Sequence, residues 1–289
     1  MYSILAVLFL IVVMMIIEMI REQFVFKVKH YEIKSQKLNR VEEEIRIMFL
    51  SDLHGHEYGK DNEVLLEKIQ ENKPDLILCG GDMIVGKEGY DCAGVTVFIK
   101  KLRKIAPVYC ANGNHEERVR LNPDKYGDIY KPYKEELVKN GIVYLENDAC
   151  EIEVNGAVLE ITGMELPPEC YGHTGLKKIK QEQITEKVGY ADKEKYNILM
   201  AHHPAYMEHY KRWGADLTLS GHLHGGVVRI PGLGGVISPQ MGLFPKYSGG
   251  HFKEDEMDIV VSRGLGTHTI NIRLFNVAEL IVLHLKGEK

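Results

Sequence analysis

Five separated segments of this chain end in side chains of the kinds that hold metal ions. In order they read Ser51-Asp52-Leu53-His54, Gly80-Gly81-Asp82, Asn112-Gly113-Asn114-His115-Glu116, His202-His203-Pro204 and Gly221-His222-Leu223-His224. Taken singly, each is a weak signal. An Asp-x-His after a strand is commonly incidental, an Asn-His pair is commonly a turn, and a lone histidine in an apolar run is commonly satisfied by hydrogen bonds. The Gly-His-x-His block says more, because two imidazoles one residue apart can address two ions. In this order, each after an apolar run, the five blocks point to one shared metal site. The donors mix imidazole, carboxylate and amide without thiolate, which suits Mn, Fe, Zn or Co better than Ca.

The elements that must position these groups are short. Ile45–Leu50, Leu76–Cys79, Val108–Ala111, Ile198–Ala201 and Leu217–Leu219 read as strands. Between them, Asn62–Glu71 and Val95–Arg103 carry apolar residues at helical spacing. Strand, helix, strand alternation predicts an α/β domain. In open α/β sheets ligands gather beyond the carboxyl ends of the strands, so five strand exits can converge on one small volume. Phe24–Leu38 partly alternates, which suggests an opening strand or hairpin. In the C-terminal third, Val227–Val236 is punctuated by Gly and Pro, Asp258–Val261 is a short apolar stretch, and Thr269–Leu274 and Leu280–Leu285 alternate. These predict antiparallel strands closing a second sheet. Gly225–Gly250 is rich in loop residues, and with Leu166–Lys187 it is expected to shape substrate choice.

The composition is that of a globular protein with room for a substantial core: 289 residues, 45% hydrophobic and 27% charged. The net charge of −5, with no Lys/Arg-dense stripe, argues against a duplex nucleic-acid partner but leaves small nucleotides open as substrates. Five cysteines with no CxxC pair argue against a disulfide framework.

The first twenty residues form a separate unit. Met1–Ile20 holds one charged side chain, Glu18, and Ile4–Ile17 is apolar throughout. Twenty helical residues rise about 30 Å, enough to cross a hydrocarbon core. A cleaved signal peptide would have a basic start and small residues at a cut site. Neither is present, since Met14–Gln23 contains no Ala, Gly or Ser. An uncleaved single-pass anchor in the cell membrane is therefore expected; the alternative is a buried N-terminal helix. Arg21, Lys27, Lys29, Lys34, Lys37 and Arg40 follow the segment, and the positive-inside rule then puts the main domain in the cytoplasm. The expected division is an anchor over 1–20, a juxtamembrane segment and opening strand over 21–41, and a catalytic domain over 42–289.

The blocks D-x-H, G-D, G-N-H, H and G-H-x-H, in this order, resemble those of the calcineurin-like metallophosphoesterases, more closely their bacterial membrane-associated YkuE/YaeI-type branch. The resemblance runs from about Phe24 to the C-terminus. It extends to Gly242-Leu243-Phe244-Pro245-Lys246-Tyr247 and Ser262-Arg263-Gly264-Leu265-Gly266, which look like that branch's late loops. It implies a four-layer αββα sandwich of two mixed sheets with flanking helices. Carried over by position, it implies that Asp52, His54 and His224 hold one divalent ion, that Asn114, His202 and His222 hold a second, and that Asp82 bridges the two. A bridging water would become hydroxide near neutral pH and attack phosphorus in line. By the same resemblance His115 faces substrate, stabilising phosphoryl charge or protonating the leaving oxygen. His203 is expected to line the pocket. Arg263, whose fork suits a phosphate oxygen, is a candidate substrate contact or a surface residue. The related branch suggests phosphodiesterase chemistry, and an anchor would bring the site near lipid-linked phosphoesters, although soluble nucleotides reach a membrane surface too.

Two other readings compete. His54-Gly55-His56 is similar to the H-x-H of amidohydrolase barrels, but that leaves Asp82, Asn114-His115 and the His222/His224 pair without roles. A membrane-tethered, non-catalytic scaffold on the same fold should have lost ligands, whereas every position here is filled.

Overall fold

The computed structural model describes residues 2–172, 177–226, 228–230, 232–237, 243–267 and 272–288. Helix α1 (Tyr2–Arg21) leads into β1 (Phe26–Ser35) and β2 (Ile45–Leu50). Then α2 (Glu63–Glu71), β3 (Leu76–Cys79), α3 (Ala93–Leu102) and β4 (Val108–Ala111) alternate. Helices α4 (Asn114–Leu121), α5 (Pro123–Tyr126) and α6 (Tyr130–Lys139) precede β5 (Val143–Leu145). A hairpin of β6 (Asp148–Val154) and β7 (Ala157–Met164) follows, then α7 (Gln181–Val188), β8 (Tyr196–Ala201), α8 (Met207–Trp213) and β9 (Leu217–Ser220). The chain closes with β10 (Arg229–Ile230), β11 (Gly234–Gly235), β12 (Gly250–Glu254), β13 (Met257–Val261) and β14 (Ala278–Gly287).

The long strands form two mixed six-stranded sheets, ordered β1-β14-β2-β3-β4-β5 and β12-β13-β9-β8-β7-β6. The central strands are buried on both faces, which is why they read as continuous apolar runs rather than alternating ones. Residue parity decides which layer each side chain enters. On β2, Ile47 and Phe49 pack with Ile198 and Leu219 of the second sheet. Met48 and Leu50 point the other way, into a cluster with Leu65 and Ile69 of α2, Phe98 of α3 and Leu137 of α6. On the far side, Ile184 of α7 and Met207, Tyr210 and Trp213 of α8 cover Leu199, Ile259 and Val261. The result is the four-layer αββα sandwich. Complete burial of a side chain such as Phe49 contributes about 1.5–3 kcal/mol.

Of the expected strand or hairpin at the opening, the strand is found: β1 pairs in parallel with β14 from Phe26↔Ala278 to Ser35↔Gly287. One expectation changes. The C-terminal strand β14 joins the first sheet, between β1 and β2, instead of closing the second, because its antiparallel partner is β2 (Leu283↔Ile47). Only β12 and β13 form the expected antiparallel pair in the second sheet. The alternation over Thr269–Leu274 lies largely outside the described residues, and of its described end only Leu274 makes a bridge, to Val228. Gly242 and Val227 also lie outside them. Among the described residues α1 is the one helix long and apolar enough to cross a membrane, with a mean hydropathy of 2.9 and no buried residue.

Candidate metal centre

The parallel strands β2, β3, β4, β8 and β9 end at one edge of the sandwich, and the sharp turns after them carry the polar blocks. Asp52, His54, Asp82, His222 and His224 all have left-handed backbones, with φ of 53°, 49°, 53°, 67° and 49°. Such conformations cost of order 1–3 kcal/mol each outside glycine and persist only where surroundings impose them. The surroundings here are other loops. Asp52 N–H donates to Gly81 O at 3.0 Å, His54 N–H to Asp82 O at 3.0 Å, and Gly221 N–H to His202 O at 3.0 Å. Gly81 (φ 91°) lies so close to the Asn112–Gly113 backbone that a Cβ there would collide with it.

A buried carboxylate ties the second and third loops together. Glu116 accepts backbone N–H bonds from Asp82 (2.8 Å), Met83 (2.8 Å), Ile84 (3.1 Å) and Gly113 (3.0 Å). Burial and the nearby Asp82 charge push its pKa up to about 7. The fifth loop is held from the C-terminal side. Asn276 Nδ2 donates to His224 O and Gly226 O, each at 2.6 Å, and the Arg273 guanidinium donates to Asn276 O, Arg263 O, Gly264 O and Gly266 O.

These loops bring seven candidate side chains together. His54 Nε2 stands 3.1 Å from His224 Nε2, and Asp52 Oδ1 stands 3.3 Å from His224 Nε2 and 3.5 Å from His202 Nε2. Asp82 Oδ2 lies 3.1 Å from His202 Nε2 and 3.8 Å from His54 Nε2. Asp52, His54 and His224 form one group of potential ligand atoms within 4.8 Å of one another, and Asp82, His202 and His222 form another. Asn114, the first residue of α4, presents a buried Oδ1.

The fit to cations can be judged from partners and tautomers. Asp82 Oδ2, Asn114 Oδ1, His202 Nε2 and His222 Nε2 are buried without a hydrogen-bond partner, an expensive state for polar atoms. His202 Nδ1 faces Gly80 O at 2.9 Å and His224 Nδ1 faces Gly266 O at 3.3 Å, so each places its proton on Nδ1 and leaves Nε2 as an acceptor. Two donor atoms sharing one ion at about 2.1 Å stand about 3.0–3.4 Å apart, close to the spacings seen here. Burial opposes charge on His202, yet Asp82 and Asp52 push it up to about 10. Burial pushes Asp52 up to about 6, with Asp82 adding to the rise. The site calls for positive charge between its carboxylates. His222 is driven well below its usual range by burial and by His203 and His202, the neutral form a ligand must have.

His115 and His203 differ in kind. His115 Nδ1 accepts from Gly86 N–H at 2.8 Å and His203 Nδ1 accepts from Ala205 N–H at 3.2 Å, so each neutral ring carries its proton on Nε2 as a donor. The His115 ring lies 4.6 Å from that of His54, centroid to centroid, and the His203 ring lies 4.4 Å from that of His222. Tyr171 covers His203 and His222 at 5.4 and 5.0 Å. Arg263 sits against Glu279, its Nε 3.5 Å from the carboxylate.

A groove of about 690 Å³ opens beside His54 and His115, lined also by His56, Lys87, Tyr90 and Arg118. One wall of it is the segment between β3 and α3, while Tyr171, from the expected Leu166–Lys187 segment, stands over His203 and His222. Lys87 and Arg118 bring two cationic side chains to this groove. Sequence reasoning gave no role to Glu116, Asn276, Arg273, Tyr171 or this wall. Only Glu116 had a visible signal, its place directly after His115.

The calcineurin-like phosphoesterase family model matches residues 45–226. The chain is 26% identical over 273 residues to the "Uncharacterized metallophosphoesterase YkuE" of Bacillus subtilis (strain 168), covering 92% of this chain and 87% of that protein. It is 27% identical over 225 residues to the "Phosphodiesterase YaeI" of Escherichia coli (strain K12), covering 77% and 75%. Among solved structures, that of phosphopantetheinyl hydrolase (PptH) from Mycobacterium tuberculosis is similar at 15% identity and a TM-score of 0.49, covering 80% of this chain and 96% of that one.

Proposed function

Since this chain belongs to the calcineurin-like phosphoesterase family and is a metallophosphoesterase, we propose that it hydrolyses a phosphodiester with two divalent ions bridged by Asp82. In this reading Asp52, His54 and His224 hold one ion, and Asn114, His202 and His222 hold the other. The observation that carries it is Asp82 Oδ2: buried, without a hydrogen-bond partner, and aimed between His202 Nε2 and His54 Nε2. Two such ions supply a water acidic enough to ionise near neutral pH and positive charge for the phosphoryl oxygens.

The protein's own groups do the rest. The His115 backbone N–H donates to Asp82 Oδ1 at 2.8 Å, which leaves Oδ2 turned inward. Ser51 Oγ donates to Asp52 Oδ2 at 2.6 Å and His222 N–H to Asp52 Oδ1 at 2.9 Å, fixing that carboxylate. His115 Nε2–H donates to a phosphoryl oxygen or to the departing oxygen. His203 lines the site on the opposite side, and Arg263 is a reserve phosphate contact. The ions are Mn, Fe, Zn or Co by donor type.

Helix α1 is proposed as a single-pass anchor, with Arg21, Lys27, Lys29 and Lys34 favouring a cytoplasmic catalytic domain. A lipid-linked phosphoester is the substrate class this favours. The test is turnover of an aryl phosphodiester by the full chain in detergent. Hydrolysis should require Mn²⁺ or a similar ion and stop on chelation; no turnover with any divalent ion would leave the non-catalytic scaffold reading.

A further inference from the structure

Outside α1, several large apolar side chains stand in solvent near the catalytic edge. Phe24 is 71% exposed, Leu233 69%, Leu243 69%, Phe244 58% and Phe275 50%. They sit on one hydrogen-bonded set of loops. Phe24 N–H donates to Arg21 O at 3.1 Å, at the end of α1. Beside it, the Glu22 carboxylate accepts the Asn276 N–H at 3.0 Å, which brings Phe275 to the same end. Arg229 N–H donates to Leu274 O at 3.1 Å, so the β10–β11 hairpin, with Leu233 at its tip, is joined to that loop. Phe244 N–H donates to Val236 O at 2.9 Å and Leu243 bridges to Ile237, joining the next loop.

Phe244 and Phe275 also have left-handed backbones, with φ of 47° and 55°. For a bulky aromatic this is a true outlier, and here it holds rings outward that bury little within the fold. Large apolar side chains exposed together on joined loops mark an interaction surface. The occupant follows from the anchor: the same loops grip the end of a twenty-residue apolar helix with no buried residue.

We propose that these loop tips dip into the headgroup layer of the membrane that α1 crosses, and so hold the catalytic groove against the bilayer surface. The proposal rests on α1 being a membrane span. Aromatic and leucine side chains favour the boundary between headgroups and acyl chains. The groove is tied to the same end of the helix, because the ring of its wall residue His56 packs edge-on against Tyr58, 4.7 Å between centroids, and Tyr58 packs at 4.7 Å on Phe26 at the start of β1. Asn276, next to Phe275, bonds to His224 O. A phosphoester lying in the headgroup plane of that membrane is then the nearest substrate to Lys87 and Arg118.

The experiment places single tryptophans at the rim of the full chain, Leu233→Trp and Phe275→Trp, with Val138→Trp on α6 as a control. Each is reconstituted in phosphatidylcholine vesicles whose acyl chains are brominated near the headgroup. Native Trp213 is nearly buried and common to all. Emission from the two rim positions should be lost relative to unbrominated vesicles, and the Val138→Trp emission retained. Equal emission at rim and control in protein that floats with the vesicles overturns the rim proposal alone. Protein that does not float with them overturns the anchor reading and the rim together.

Discussion

Asp82 Oδ2 and His202 Nε2 stand 3.1 Å apart at the centre of the catalytic edge, both buried and neither with another hydrogen-bond partner. Nδ1 of the same histidine faces Gly80 O, so the bare nitrogen meets a carboxylate oxygen across a short gap. A cation shared between them resolves the repulsion. A proton is the alternative: against the effect of burial, the Asp82 and Asp52 charges raise His202 to about 10.

His115 is set apart from His202 and His224 by its tautomer, and the roles proposed for them separate on substitution. In His115→Gln the metal content should remain that of the parent while kcat falls about 10²–10⁴-fold. Metal analysis beside steady-state kinetics checks this. A variant that loses metal and activity together would make His115 a ligand.

Glu116 holds two catalytic loops by accepting four backbone N–H groups. In Glu116→Ala these donors lose their buried acceptor, at about 1–3 kcal/mol for each left unsatisfied. A net loss of about 3 kcal/mol corresponds to a Tm lowered by about 6–12 °C for a domain of this size. Thermal unfolding of the two proteins in one buffer measures it. A Tm within a degree or so of the parent would show that the loops are held by other contacts.

Glu117 makes stability depend on pH. Burial, reinforced by the Glu165 charge, pushes its carboxyl up to about 7. The folded pKa lies above the unfolded value near 4.5, so the folded state prefers the protonated form. Its contribution is fully present below about pH 4.5 and is lost as pH rises through 7. Glu117→Gln should therefore match the parent near pH 5 and exceed it by about 1–2 kcal/mol near pH 8. Unfolding curves at the two pH values decide the matter, and a gain at pH 5 equal to that at pH 8 would rule titration out.

The apolar runs at β2, β3 and β4 were legible to the residue because these strands are buried on both faces and are followed by Ser51, Gly80 and Asn112. The polar blocks were legible for the same reason, since each begins where its strand must stop. The place of β14 was not, because nothing local distinguishes a partner at β2 from one in the other sheet. Glu116 escaped because its work is done on backbone groups thirty residues away. Lys87 and Arg118 escaped because isolated cations in loops resemble ordinary surface charges until folding sets them on one wall. The exposed rings of Phe244 and Phe275 likewise have meaning only once the loops meet the end of α1.

The bridging role of Asp82 is tested most directly by counting ions. The full chain and its Asp82→Asn variant, loaded with Mn²⁺ and freed of excess, are compared by metal analysis and by hydrolysis of an aryl phosphodiester. Two ions per chain are expected in the parent, at most one in the variant, and turnover lower by about 10³-fold or more. Equal metal content and equal turnover in the two proteins would contradict the account.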